Sequence, residues 1–290
     1  MKFKIIVMSM FAAALVSCGT TSTVPITGRK HNLLVSDEQV LSLSNQEYTK
    51  YMQTAKASTN ATNTAMVKRV GQRLANAVET YLRNNGMSSE INNFKWEFNL
   101  VQDKSVNAFC MPGGKIVVYE GLLPVTQNEA SLAVVLGHEI AHAVAKHSAE
   151  QMSKQMRQQY GTQIGSGVLS ALGVGSDVTS MASSVAGQLF SFKNLKYSRD
   201  NESEADHMGL IFAAMAGYDP NVAVSFWKRM AAQGSSSSSD LFSDHPSDSK
   251  RIAAIQNEMP EALKYYQASG SSSNGTTQSV SKTKGTSRRR

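Results

Sequence analysis

His138-Glu139-Ile140-Ala141-His142 stands inside an apolar, small-residue stretch running from Ala130 to Ala145. On a helix, four residues advance one turn plus about 40°, so both imidazoles project from one face roughly 6 Å apart. That is a suitable bite for one zinc ion held at about 2.0–2.1 Å from each nitrogen. Glu139, one position along, reaches a water on such an ion without itself being a ligand. A plain amphipathic helix with two chance histidines is the alternative, and the neighbours argue against it. Leu136, Gly137, Ile140, Ala141, Ala143 and Val144 are apolar or small, and unpaired polar side chains on so apolar a helix are costly. The helix is expected to run from about Asn128 to Ala149 or beyond.

Catalytic zinc sites usually take three protein ligands and leave one position open. One known solution needs a glycine three residues and a histidine six residues beyond the second histidine; those positions hold Ala145 and Ser148. His147 lies about 140° around the helix from His142 and is expected to make a surface or packing contact. The remaining source is a second helix, and Asn201–Ala216 reads as one, containing Glu202-Ser203-Glu204-Ala205-Asp206. Glu202 and Asp206 are four apart and share a face, while Glu204 points elsewhere. One of the pair can ligate while the other orients a ligating imidazole through its free N–H. Arg199, just ahead, is a candidate partner for either carboxylate, or else a surface ion pair.

Outward from these two helices the pattern is mixed. Ser36 or Asp37 caps a helix to about Ala57, and a second spans about Asn63–Leu82, with Val67, Val70, Leu74, Val78 and Tyr81 on one stripe. Phe94, Trp96, Phe98 and Leu100 alternate with polar residues, as in a half-buried strand. Pro112-Gly113-Gly114 is a turn into the β-branched strand Lys115–Tyr119. The expected class is α+β, mainly helical, with a small antiparallel sheet beside the HExxH helix. Ile164–Phe190 is apolar, but its glycines, serines and Asp177 argue against a membrane span. Asp219-Pro220 starts another helix, Gly234–Asp240 is a flexible serine loop, and Pro246–Tyr266 is mostly helical.

The ends have their own chemistry. Lys2 and Lys4 precede the apolar run Ile5–Val16, so residues 1–17 read as a signal peptide. Leu15-Val16-Ser17-Cys18 resembles a bacterial lipobox, which implies cleavage before Cys18, acylation of its thiol, and residues 18–35 as a lipid-anchored tether. Gly19 follows with no acidic residue nearby, which by resemblance to sorting rules favours the outer membrane, facing the periplasm. Residues 36–267 are expected to form a zinc metallopeptidase domain, large enough for a substantial core. Residues 268–290 are rich in Ser, Thr and Gly and read as a disordered basic tail. The formal net charge of +7 falls to zero once Lys2, Lys4, Lys282, Lys284, Arg288, Arg289 and Arg290 are set aside. The folded part therefore lacks the basic excess that nucleic-acid binding needs. With Cys18 acylated, Cys110 is the remaining cysteine and reads as a buried small apolar residue.

Four motifs in order, Asn107-Ala108-Phe109 with Pro112-Gly113-Gly114, the HExxH set, Glu202–Asp206, and Asp244-His245-Pro246, resemble the HtpX and CAAX prenyl protease type of gluzincin, peptidase family M48. The resemblance covers roughly residues 25–258. It implies His138, His142 and Glu202 as the ligands of one zinc ion, with Asp206 behind them. It implies metal-assisted peptide hydrolysis in which Glu139 takes a proton from water and passes it to the leaving amine. It also implies an edge strand that binds extended substrate by main-chain pairing, here assigned to Lys115, Val117 and Tyr119. Asn107 is a candidate for holding a substrate amide, or else it caps its loop. His245, after the serine loop, is expected to act at the metal, as a resting-state ligand or as a donor to the oxyanion. The implied substrates are unfolded or extended proteins, and the implied task is quality control of misfolded or unassembled envelope proteins.

Two other classes compete: a lipid-anchored chaperone or assembly factor with little proteolytic activity, and a zinc amidase acting on cell-wall peptide. Structural zinc sites usually close all four positions with Cys or His, whereas this HExxH set retains its glutamate.

Overall fold

A computed structural model of the chain describes residues 20–165, 184, 197–234 and 249–275. The first described element is a β hairpin, β1 (Thr20–Thr23) and β2 (Lys30–Leu33), paired antiparallel with Thr23 opposite Lys30. The segment expected to be a loose tether is thus folded from Thr20 onward. Its breakers, Pro25 and Gly28, lie in the connecting loop, where the Gly28 N–H donates to Val24 O at 3.0 Å. Val24, Leu33 and Val35 are buried, and the Ile26 N–H donates to the Tyr81 hydroxyl at 3.1 Å. The buried Val24, Leu33 and Val35 and the ion pairs of Arg29 with Glu150 and Glu204 seat it on the domain.

Helix α1 (Asp37–Thr54) starts at Ser36, whose hydroxyl and backbone exchange hydrogen bonds with Gln39 in a capping box. Helix α2 (Ala61–Asn84) is capped by Asn60 and buries Val67, Val70, Leu74 and Val78, the stripe its sequence spacing predicts. Strands β3 (Glu97–Val101), β4 (Ala108–Met111) and β5 (Lys115–Tyr119) form a three-stranded sheet in the order β3-β5-β4. The sheet expected to be antiparallel is mixed: β4 and β5 pair antiparallel across the turn at Pro112–Gly114, but β3 runs parallel to β5. A strand buried on both faces reads as a continuous apolar run, and Ile116, Val117 and Val118 are each fully enclosed.

The sheet divides the core in two. Phe98, Leu100, Ala108, Cys110, Ile116 and Val118 face one cluster with α2 and the metal helix. Val101, Phe109, Met111, Val117 and Tyr119 face the other, built from α1, the hairpin and the helix after the metal helix. The turn between β4 and β5 needs glycine: Gly113 and Gly114 have φ of +89° and +79°, and a Cβ on Gly114 would lie 2.5 Å from the Trp96 ring.

After the short helix α3 (Leu123–Thr126) comes the metal helix, α4 (Glu129–Val144), capped by Asn128 through Ser131. It ends at Val144, five residues short of the expected Ala149. Ala145 closes the last turn, Lys146 takes φ +57°, and α5 (His147–Gly165) sets off on a new axis. Helix α6 (Arg199–Met215) is capped by Ser198 and stops at Gly217, φ +78°. It packs on α4 more extensively than any other pair of elements. The approach is backbone on backbone. A Cβ on Gly137 would lie 2.5 Å from Gly209 O, and one on Gly209 would lie 2.5 Å from the backbone N of His138. Helices α7 (Val222–Gly234) and α8 (Ser249–Gly275) complete the described chain. Residues 268–275, expected to belong to a disordered tail, continue α8; the rest of that tail, the leader and most of Ile164–Phe190 lie outside the described residues.

Candidate metal centre

The close α4–α6 packing brings Glu202 over the two histidines. His138 Nε2 and His142 Nε2 are 3.1 Å apart; Glu202 Oε2 lies 3.4 Å from the first and Glu202 Oε1 3.5 Å from the second. Ligands at about 2.0–2.1 Å from a tetrahedral zinc are separated by roughly 3.3–3.4 Å from one another. The three groups therefore stand at about the spacing that such an ion needs, one carboxylate oxygen facing each histidine, and all three are buried. Charge supports the same fit. With the histidines neutral, as ligands are, three carboxylates (Glu139, Glu202, Asp206) meet one permanent cation, Arg251, leaving two negative charges to be balanced by a divalent ion. Burial pushes His138 down, yet Asp206 and Glu202 outweigh it and bring it up to about 9. The pocket attracts positive charge.

Asp206 stands behind His138. Its Oδ1 lies 2.9 Å from His138 Nδ1, the ring nitrogen that carries the proton when Nε2 is a ligand. Arg251, from α8, donates to both Asp206 oxygens at 2.6 and 2.7 Å and has Nη1 3.5 Å from Glu202 Oε2. Its guanidinium lies over the Trp227 ring, 3.8 Å from the centroid. Burial alone would raise Asp206, but Arg251 and His138 hold it below the usual carboxylate range. Glu139, 3 % exposed, completes the buried acidic set, and its charge together with burial pushes the Cys110 thiol up. On the other side, Tyr197 stacks on His142 with ring centroids 4.0 Å apart and shares a hydrogen bond with the Ser148 hydroxyl.

Several expectations need correction. Lys115, Val117 and Tyr119 lie on the central strand, paired on both sides and buried, so they offer no edge to a substrate. β4 is the outer strand on the side of α4. In its antiparallel pairing Asn107 and Phe109 face inward to β5, which turns the backbone groups of Ala108 and Cys110 outward. Asn107 is buried, and its side-chain oxygen accepts from the Ala108 N–H at 2.8 Å, so it caps the start of β4. His147 is not on the surface: it is fully enclosed, with Nδ1 2.9 Å from His142 Nδ1. Arg199 is exposed at the start of α6, and the guanidinium that reaches the carboxylates is Arg251. Nothing local in the sequence announced Arg251, which lies 45 residues beyond Asp206 on another helix. His245 and Cys18 lie outside the described residues.

An HExxH helix joined by a glutamate from a following helix, beside a small sheet, defines the gluzincin class of metallopeptidase fold. Residues 61–259 match peptidase family M48, and the chain belongs to that family. It is 40 % identical over 183 residues to the mitochondrial metalloendopeptidase OMA1 of Schizosaccharomyces pombe, covering 60 % of this chain and 50 % of that one. With the human mitochondrial metalloendopeptidase OMA1 it shares 31 % identity over 245 residues, 83 % of this chain and 46 % of the other. The putative beta-barrel assembly-enhancing protease of Vibrio cholerae is 32 % identical over 141 residues, 46 % of this chain and 28 % of its own. The chain thus spans half or less of the length of these relatives.

Proposed function

We propose that this protein is a zinc-dependent endopeptidase of the bacterial cell envelope that cleaves misfolded or unassembled envelope proteins. The observation that carries the catalytic part is the buried His138–His142–Glu202 triangle, 3.1 to 3.5 Å on a side, with Glu139 next to it on the same helix. The envelope part is supported by the leader and lipobox-like Leu15–Cys18, and by relatives in Vibrio cholerae and Yersinia pestis that are named for enhancing beta-barrel assembly. Within the family we place it in a periplasmic lipoprotein branch, on the outer membrane. No described helix is long and apolar enough to cross a membrane, and in this reading acylated Cys18 carries the attachment. A purely chaperone-like role leaves the buried, costly Glu139 without a purpose.

When bound, the zinc ion supplies Lewis-acid activation of the scissile carbonyl and of the attacking water. The chain's own residues do the rest. His138, His142 and Glu202 hold the ion, and Asp206 with Arg251 fixes the His138 ring. Glu139 removes a proton from the attacking water and delivers it to the departing amine nitrogen. The outward Ala108 carbonyl and the outward backbone groups of Cys110 on β4 pair with an extended substrate, which gives register with little reading of sequence. His245 remains our candidate for a resting-state ligand or an oxyanion donor. The test is digestion of unfolded casein by the purified protein, its abolition by a chelator and its return on adding zinc. Casein that survives incubation with the zinc-loaded protein would overturn the proposal.

A further inference from the structure

Glu204 and His147 are buried, mutually paired groups that none of the steps above uses. Glu204 projects from α6 away from Glu202 and Asp206, and its side chain is 7 % exposed. Its Oε2 lies 2.9 Å from His147 Nε2, and His147 Nδ1 lies 2.9 Å from His142 Nδ1. On its far side the same carboxylate meets the N-terminal hairpin. Thr27 Oγ1 donates to Oε1 at 2.6 Å, and Arg29 donates through Nε and Nη2 at 2.7 to 3.1 Å. Arg29 is itself held by Glu150, with Nη1 and Nη2 donating at 3.0 and 2.8 Å. An unbroken chain of contacts therefore runs from the hairpin loop to the second histidine of the metal set.

The direction of the protons along this chain is fixed by what each group can do. When His142 offers its Nε2 lone pair to the ion, its ring proton sits on Nδ1 and donates to His147 Nδ1. The proton of His147 then sits on Nε2 and donates to Glu204. Glu204, an acceptor, takes this bond together with those from Thr27 and Arg29, so every donor meets an acceptor. The reversed chain protonates His142 on Nε2, where it cannot ligate, and sets a bare His147 nitrogen against the carboxylate. The charge on Glu204 selects the first arrangement. The abrupt end of α4 makes this possible, because Lys146 at φ +57° swings His147 back under His142.

We propose that the N-terminal hairpin is part of the metal centre: through Arg29, Glu204 and His147 it holds His142 in the tautomer whose Nε2 faces the ion. These three are positioning residues, and the inference rests on the reading of His138, His142 and Glu202 as the zinc set. Outer partners of this kind typically contribute 10- to 100-fold in metal affinity.

The test is the rate of zinc release to excess chromophoric chelator, measured in a Glu139→Gln background so that self-digestion does not interfere. His147→Leu should release zinc roughly 10–100-fold faster than the parent. His147→Asn, whose side-chain oxygen can stand in for Nδ1, should recover most of the loss. Arg29→Met, on the partly exposed hairpin and remote from the packing of α4, should speed release several-fold. The downfield imidazole N–H resonance of His142 in the zinc-loaded protein should vanish in His147→Leu and persist in His147→Asn. Unchanged release from both His147→Leu and Arg29→Met, while His142→Ala loses zinc, would overturn the inference and leave the metal set standing. A parent protein that binds no zinc would overturn both.

Discussion

Arg251 shows what a single buried charge does in this site. Its guanidinium spans Asp206, Glu202 and the Trp227 ring from a helix far along the chain. Removing one partner of a buried pair leaves the other uncompensated, at a cost of about 3–5 kcal/mol. Arg251→Met, which keeps an apolar stem but removes the guanidinium from Asp206, Glu202 and Trp227, should therefore lower urea stability by that order and loosen His138 at the metal. Adding Asp206→Asn should return a large part of the stability without restoring zinc affinity, because the amide no longer anchors His138 as a carboxylate does. Additive losses in this double-mutant cycle would mean that the two side chains act independently. Residues of this kind are the least legible in a sequence. The two histidines are visible because helical spacing of four fixes their geometry locally. Arg251 owes its role to tertiary packing, and Arg199, nearer in sequence, was the wrong candidate for that reason.

At the scale of elements, the metal site depends on how closely α4 and α6 approach. Gly209→Ala weighs two opposing effects. Alanine favours the helix by up to about 1 kcal/mol over glycine, but its Cβ would meet the backbone of His138 at 2.5 Å. Backbone cannot step aside as a flexible side chain can, and overpacking typically costs about 1–3 kcal/mol. The mutation should lower the melting temperature and weaken zinc binding together; a melting temperature at or above the parent's would contradict the close-contact account. The same scale explains two misreadings from sequence. The apolar pattern carries α4 past its true end, because Ala145 and Lys146 give no sign of the left-handed turn, and helix arithmetic then sends His147 to the wrong side. β5 reads as an edge strand because pairing order is not written in a single strand; only its unbroken apolar run hints that both faces and both edges are covered.

Over the whole molecule, the hairpin binds the start of the chain to the domain through charge. Burial alone would raise Glu150, but His31 and Arg29 outweigh it and hold it at about 2, below the ordinary carboxylate value of 4.5. A carboxyl depressed on folding contributes stability that is complete above its unfolded value and fades as pH falls toward the folded one. The protein should thus lose stability between about pH 4.5 and 2, and Glu150→Gln should flatten that part of the acid limb while lowering stability at neutral pH. Acid curves that superimpose would show that the Glu150 contacts with the hairpin contribute nothing. The α+β class, the helices and the HExxH chemistry were legible, since each rests on periodicity or local spacing. The ordered hairpin and its link to His142 were not, since Pro25, Gly28 and a few polar residues read equally well as a linker. In the proposed mechanism Glu139 is the base beside an intact metal set. That role is tested most directly by measuring zinc content and the rate of casein digestion in the same preparations of wild type and Glu139→Gln. Equal zinc is expected, about one ion per chain, with digestion reduced at least about 10²–10⁴-fold; a variant that retains zinc and most of the wild-type rate would rule out Glu139 as the base.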